Sequence, residues 1–245
     1  MSLSDFITQP WRWWRQTVTT LGLFNALLYT LDRLLARGSF GAVRLRRYLF
    51  VAQPIGQGRL QALRPDGNTV VAATPPESPL LAQFPRPPQV IRARYANGAQ
   101  CFSACVGATF AGFIWFQRKA YDEDEVRCRY VMAAPEESVW DFDVHVEARF
   151  RLGRTLARLW QAVDAHLAAQ RVQWSFSRIS AFNPASIAAH RRLGTIACGN
   201  ATFLCAGPLQ VAFLTMSPFV HLSFSPRQRP SLLLSPPRGP SPQFH

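Results

Sequence analysis

From Trp140 to Val146 the chain alternates aromatic or β-branched residues with polar ones (WDFDVHV), the two-residue period of a strand with one buried face. Further on, Leu156, Leu159, Trp160, Val163 and Leu167 recur at i, i+3, i+4, i+7 and i+11, a single apolar stripe that predicts a helix. Val172–Ile179 predicts the next strand. Asn183-Pro184 then opens a second helix with an N-cap residue and a proline in the first turn, and Gly194 closes it. Upstream, Arg47–Ile55 reads as a strand, and Gln100–Val106 and Phe110–Gln117, separated by Gly107, read as a hairpin. Val126–Met132 predicts one more strand, and residues 196–205 and 209–215 predict two closing ones. Residues 56–90, rich in Gly, Pro and Ala, are expected to form an extended connection around a short helix. From Ser223 onward the Pro, Ser and Arg content without apolar period predicts a disordered tail, residues 223–245.

The N-terminal segment, residues 1–38, has its own pattern. Trp11-Arg-Trp-Trp-Arg15 leads into a helix in which Phe24, Leu27, Leu28, Leu31, Leu34 and Leu35 form a stripe. The apolar run is too short and interrupted to span a bilayer, and no signal-peptide cleavage pattern follows it. Two readings stand: a helix packed on the main domain (residues 39–222), or an interfacial helix with Trp anchors and arginines near anionic headgroups.

Composition narrows the class. Of 245 residues 48% are hydrophobic, enough for a sizeable core. The formal charge of +13 comes from 27 Lys+Arg, almost all arginine, against 14 Asp+Glu. Such a balance suits nucleic acid, an anionic membrane face or a phosphorylated cofactor. No basic cluster interleaved with aromatics recurs through the domain, so nucleic acid is not the expected partner. The 5 cysteines lack paired CxxC spacing, which argues for free thiols in a reducing cytoplasm and against a zinc site or disulfide framework. Cys101 and Cys105 are expected on one face of a strand.

The strand–helix–strand–helix run from residue 144 to 194 points a helix N-terminus, with its unsatisfied N–H groups and positive dipole end, at the edge of a sheet. Arg149, Arg151 and Arg154 stand at that edge, so a phosphate-bearing ligand is the expected guest. Val146-Glu-Ala-Arg-Phe150-Arg151-Leu-Gly-Arg154 and Asn183-Pro-Ala-Ser186-Ile187-Ala-Ala-His190-Arg-Arg-Leu193-Gly194 together resemble the two core motifs of the GNAT-type N-acetyltransferase superfamily. The first keeps the family's valine, aromatic and arginine. The second follows its Asn-x-x-Ala/Ser-Ile-x-x-Tyr-x-x-x-Gly helix, with His190 in place of the tyrosine. In the first motif the family's two glycines fall on Arg154 and Leu156, so the loop is expected to be reshaped around Gly153 with arginines supplying charge.

The resemblance implies an α/β (α+β) fold with a mixed, mostly antiparallel sheet flanked by helices, here carrying an N-terminal amphipathic extension. It implies acyl transfer from acetyl-CoA, or another acyl-CoA, to a primary amine by direct attack in a ternary complex, without a metal. Val144, Val146, Arg151, Leu152, Gly153, Arg154, Asn183 and Ser186 would hold the co-substrate, and His190 would protonate the departing thiolate. Asp143 or Asp141 would be the base. Both lie at odd offsets from Val146, out of the family's phase unless a β-bulge intervenes. Asp141, Asp143 and His145 are expected on one strand face. The acidic run Tyr121-Asp-Glu-Asp-Glu125 reads either as an attractor for a cationic acceptor or as a solvated loop. The rival readings are a non-catalytic GNAT-fold module that binds coenzyme A or a partner, and an acyltransferase at the inner membrane face acting on a lipid or envelope precursor.

Overall fold

A computed structural model of the protein describes residues 3–57, 63–64 and 67–237, with side chains from Trp11 onward. Two N-terminal helices, α1 (Leu3–Leu21) and α2 (Leu23–Gly38), precede β1 (Val43–Pro54), β2 (Thr69–Ala73) and α3 (Pro88–Ala96). Next come β3 (Gln100–Val106), β4 (Thr109–Gln117), β5 (Ala120–Asp122), β6 (Arg129–Met132) and β7 (Ser138–Val146). Then follow α4 (Thr155–Ala169), β8 (Trp174–Ser180), α5 (Pro184–Arg192), β9 (Ile196–Ala206), β10 (Leu209–Leu214), β11 (Val220–Ser223) and β12 (Ser231–Leu234). Nine strands form one sheet in the order β11-β10-β9-β1-β8-β7-β4-β3-β2, and β12-β6-β5 form a second, small sheet. In the large sheet only β7 and β8 pair in parallel. The fold class is the expected one: a mixed, mostly antiparallel sheet with helices against it.

The two faces of the large sheet bury different clusters. One packs Tyr48, Phe50, Phe113, Trp115, Trp140, Phe176 and Phe203 against Tyr130, Met132, Leu232 and Leu234 of the small sheet. The other receives the apolar stripe of α4, where Leu159, Trp160, Val163 and Leu167 meet Ala104, Ile114, Phe116 and Val139. Burying such a stripe is what holds a helix this short in place, since isolated helices of its length are marginal in water.

Three sequence expectations change here. Part of the expected disordered tail is strand: β12 pairs in parallel with β6, with Leu232 and Leu234 buried at 0% and 2%. Residues 231–234 read SLLL, too short for a period to register, and their driving force is the apolar core under the small sheet. Residues 238–245 lie outside the described residues. The connection 56–90 contains strand β2, an edge strand whose Val70 is exposed, so its hydrophobic signal is weak. Finally, Asp141, Asp143 and His145 do not share a face, because β7 is bulged.

The bulge sits where Phe113 pairs with His145 but Trp115 pairs with Phe142, leaving Asp143 and Val144 opposite Ile114 alone. Asp143 adopts φ 47, a left-handed conformation that Asp tolerates better than most residues. Asp141 keeps the phase of Val139, toward α4, whereas the His145 ring lies 5.4 Å from Phe113 on the opposite face. Gly112 makes this approach of β4 and β7 workable. A Cβ there would come within 2.4 Å of the His145 carbonyl oxygen and 3.2 Å of Val146 Cα, both backbone atoms. Gly112→Ala should therefore cost roughly 1–3 kcal/mol in chemical denaturation and displace β7 at the bulge.

Candidate active site

Strands β7 and β8 pair only over Ser138–Trp140 with Trp174–Phe176, then part. Past that point the edge of β7 at 141–146 and the edge of β8 at 177–180 face each other without a ladder, which leaves main-chain donors and acceptors open on both sides of a wedge. A cavity of about 390 Å³ opens there, lined among others by Asp141, Asp143, Val144, Ser177, Ser186 and His190. Five of the residues expected at the cofactor or catalytic site from sequence — Asp141, Asp143, Val144, Ser186 and His190 — thus share one cavity.

The two candidate bases are in opposite states. Asp141 is buried, accepts a hydrogen bond from Ser175 Oγ at 2.7 Å, and has its carboxyl pushed up to about 7 by burial, with the Ser175 and Ser177 hydroxyls opposing the rise. Asp143 also feels burial, but Arg86 and Arg94 outweigh it and hold its carboxyl below the ordinary range. Arg86 donates to both of its oxygens and Arg94 Nη1 to Oδ2 at 2.5 Å. Those guanidiniums rest on aromatic faces, Arg86 5.5 Å from the Phe113 ring and Arg94 5.2 Å from both Trp115 and Phe142. A carboxylate engaged by two cations is a poor proton acceptor. Asp141 has the chemistry of a base working near neutrality.

His190 points the same way. Its Nδ1 lies 2.8 Å from the Ser186 carbonyl oxygen, which can only accept, so Nδ1 carries the proton and Nε2 is left with a lone pair. Burial pushes the imidazole below its ordinary value, against the Ser186 carbonyl. The resting side chain is neutral and suited to receive a proton at Nε2 before it can give one. Asn183, expected to reach the cofactor, caps α5: its Oδ1 accepts from Ser186 N–H at 3.1 Å.

At the far end of β7 the chain makes a short 3-10 turn, Ala148–Phe150, and enters α4 with Arg154 at the N-cap position. No side chain caps that end and no acidic residue occupies its first turn. Arg149, Arg151, Leu152, Gly153 and Arg154 are exposed around it. Arg151 Nε donates to the Val146 carbonyl at 3.0 Å, which ties the loop to the strand, while Val146 packs on the α4 side.

The sequence reading missed Arg86, Arg94, Ser175, Ser177 and Arg178. The alternation of Ser175 and Ser177 with Trp174 and Phe176 along β8, on the face shared with Ile179, is the one signal that could have marked buried hydroxyls. The acidic run is largely tied down: the Glu123 side chain is 1% exposed and pairs with Arg178 (Nε–Oε2 2.5 Å, Nη2–Oε1 2.8 Å), and Tyr48 Oη donates to Glu125 at 2.5 Å. Burial pushes the Glu123 carboxyl up, countered by Arg178, whose guanidinium is held charged by the pair. All five cysteines are free thiols, and no group of His, Cys, Asp and Glu among the described residues could hold a metal.

Neither a family model nor a curated protein matches the chain. Among solved structures it is similar to a protein from Novosphingobium aromaticivorans assigned to the GNAT family of acetyltransferases, at 18% identity and TM-score 0.45, covering 65% of this chain and 63% of that one. It is also similar to an aminoglycoside acetyltransferase from an uncultured soil metagenomic sample in complex with sisomicin (10%, TM-score 0.40, 52% of this chain and 88% of that one). A third is a tandem GNAT protein from the clavulanic acid biosynthesis pathway (16%, TM-score 0.44, 67% and 55%). At TM-scores below 0.5 none of these likenesses carries weight on its own.

Proposed function

We propose that the protein is an acyl-CoA-dependent N-acyltransferase of GNAT type, moving an acetyl or similar acyl group to a primary amine. The observation that carries this reading is the wedge between β7 and β8, with Val146 on the open edge of β7 and Ser186 and His190 of the second motif lining the cavity. An extended pantetheine arm fits such a gap because its amides can bond the two unpaired strand edges. The uncapped N-terminus of α4, with Arg151 and Arg154 beside it, suits the pyrophosphate. These features fit acyl-CoA as co-substrate and call for no metal.

The reaction is a direct displacement: the amine nitrogen attacks the thioester carbonyl, a C–N bond forms, the C–S bond breaks, and the thiolate leaves. Asp141 takes the proton of the incoming ammonium, and His190 Nε2 can accept and later return a proton near the thiolate. Asp143 orders Arg86 and Arg94 and is a positioning residue. This reading exchanges the acid role expected of His190 from the resemblance for a relay, and takes Asp141 rather than Asp143 as the base.

Thiol release on mixing acetyl-CoA with a panel of amines tests the activity, and slow hydrolysis without any amine-dependent rate would leave only a coenzyme A-binding module. The cofactor loop has its own check. Charge-assisted bonds are worth about 1.5–3 kcal/mol, so Arg154→Ala should weaken coenzyme A binding roughly tenfold or more in calorimetry. Arg151→Ala should weaken it as well, while Arg149, whose guanidinium stacks 4.9 Å from Phe150, should matter less. Unchanged affinity in both Arg151→Ala and Arg154→Ala would remove the loop from the site.

A further inference from the structure

Helix α2 meets the domain with the wrong face for an ordinary amphipathic helix. Its buried residues are Ala26 and Asp32, and Asp32 anchors it: the carboxylate accepts from Leu45 N–H at 2.8 Å and from Arg44 Nε and Nη2, each at 3.0 Å. The stripe of Leu23, Phe24, Leu27, Leu31 and Leu34 points outward, with Leu27 52% and Leu34 63% exposed. Trp11 and Trp13 of α1 are exposed as well.

The stripe continues onto bare sheet. Arg47 lies under the Phe24 ring at 4.9 Å, and its β-ladder row runs through Thr202, Phe213 and Val220. The parallel row runs Leu45, Leu204, Val211, Leu222. Residues directly opposite in an antiparallel ladder share a face. Leu204, Phe213, Val220 and Leu222 are exposed there, so neither α2 nor α4 covers this end of the sheet. Apolar surface this extensive marks an interaction site.

Its charge identifies the partner. Between residues 11 and 42 the one acidic side chain is Asp32, buried and paired, whereas Arg12, Arg15, Arg33 and Arg37 are all exposed. Beside the stripe, Arg33, Arg37 and Arg44 line a cleft of about 650 Å³ with Trp13 and Tyr29. On the other side, Arg47 Nε is buried with no hydrogen-bond partner among the described residues. A second copy of the chain, meeting this face with its own, would bring the same arginines against these. No helix among the described residues is long and apolar enough to cross a membrane, which leaves seating on the surface. We propose that the outward stripe of α2, the tryptophans of α1 and the bare face of β9–β11 form one surface that docks on an anionic phospholipid bilayer, with the arginines meeting headgroup phosphates.

Co-sedimentation of the full chain with phosphatidylcholine vesicles, with and without phosphatidylglycerol, tests this. Wild type should bind the anionic vesicles, bind the neutral ones much less, and lose binding as salt is raised. Arg33→Glu/Arg37→Glu should lower the partition coefficient by roughly tenfold or more. Leu27→Glu/Leu31→Glu, at exposed positions that leave the core intact, should abolish it while circular dichroism and coenzyme A binding stay unchanged. Absence of wild-type binding to anionic vesicles would overturn the proposal, as would binding unaffected by either double variant. A dimer in light scattering that Leu27→Glu/Leu31→Glu dissociates, without vesicle binding by wild type, would assign the surface to self-association instead.

Discussion

Replacing Asp141 by asparagine is expected to lower kcat by about 10²–10⁴-fold, the range over which a positioned proton acceptor contributes, and to stabilise the folded protein at pH 8. The two effects share one cause. With its folded carboxyl near 7 and an ordinary value of 3.8, Asp141 binds a proton in the native state across an interval where the unfolded chain has already released it. The stability contributed by Asp141's raised value therefore falls as pH rises from about 4 to about 7, by an amount on the order of 4 kcal/mol, and is gone above that. Asparagine keeps the acceptor for Ser175 and removes the ionisation. Denaturation curves at pH 4, 5.5 and 8 should show the variant's gain over wild type growing with pH and levelling off above about 7. The rising limb of the kcat/KM profile near 7 should disappear with it. An Asp141→Asn enzyme of undiminished activity would return the base to another group, and a variant less stable at pH 8 would show that the carboxylate is not held against burial.

Arg178→Ala should be the most destabilising single change near the cavity, by about 3–5 kcal/mol, because it strands a carboxylate with almost no solvent contact. The Glu123 side chain is 1% exposed and takes two bonds from Arg178, whose guanidinium also lies 4.3 Å from the centre of the Tyr48 ring. Without that partner, Glu123 must be protonated to stay buried, so the loss should deepen as pH rises. Glu123→Gln/Arg178→Met should recover most of the stability, since the unpaired charge is then gone. Additive losses in the double variant, read from thermal or urea melts, would mean that the pair is not coupled.

The elements with long apolar periods were legible in sequence. Helix α4, β7, the β3–β4 hairpin and the Asn-Pro start of α5 fall where the pattern places them, because burial of one face enforces the period. What the sequence could not carry is whatever depends on a second strand. The bulge at Asp143 exists only relative to Ile114, and it decides that Asp141 and His145 lie on opposite faces. The motif resemblance likewise marked Asp143, Val144, Ser186 and His190 but no partner for them. Arg86 and Arg94 reach Asp143 from a connection and a helix whose patterns announce nothing, across 57 and 49 residues of chain. The stripe on α2 was visible, but its direction was not. The burial of Asp32 and the exposure of Leu27 and Leu34 show that the leucines face out.

The strand at the end of the described chain has a temporal consequence. Ser231 pairs with Arg129 and Leu234 with Met132, so the small sheet waits for partners made about a hundred residues apart. That sheet carries Tyr121, and the loop from Glu123 to Glu125 that leads out of β5 forms one wall of the cavity. During synthesis the wedge between β7 and β8 can form once β8 has emerged, but the lid of apolar residues over Trp140 and Tyr130 closes only when Leu232 and Leu234 leave the ribosome. The β7–β8 side of the cavity is thus laid down early, and the wall from Glu123 to Glu125 gains the support of β12 last.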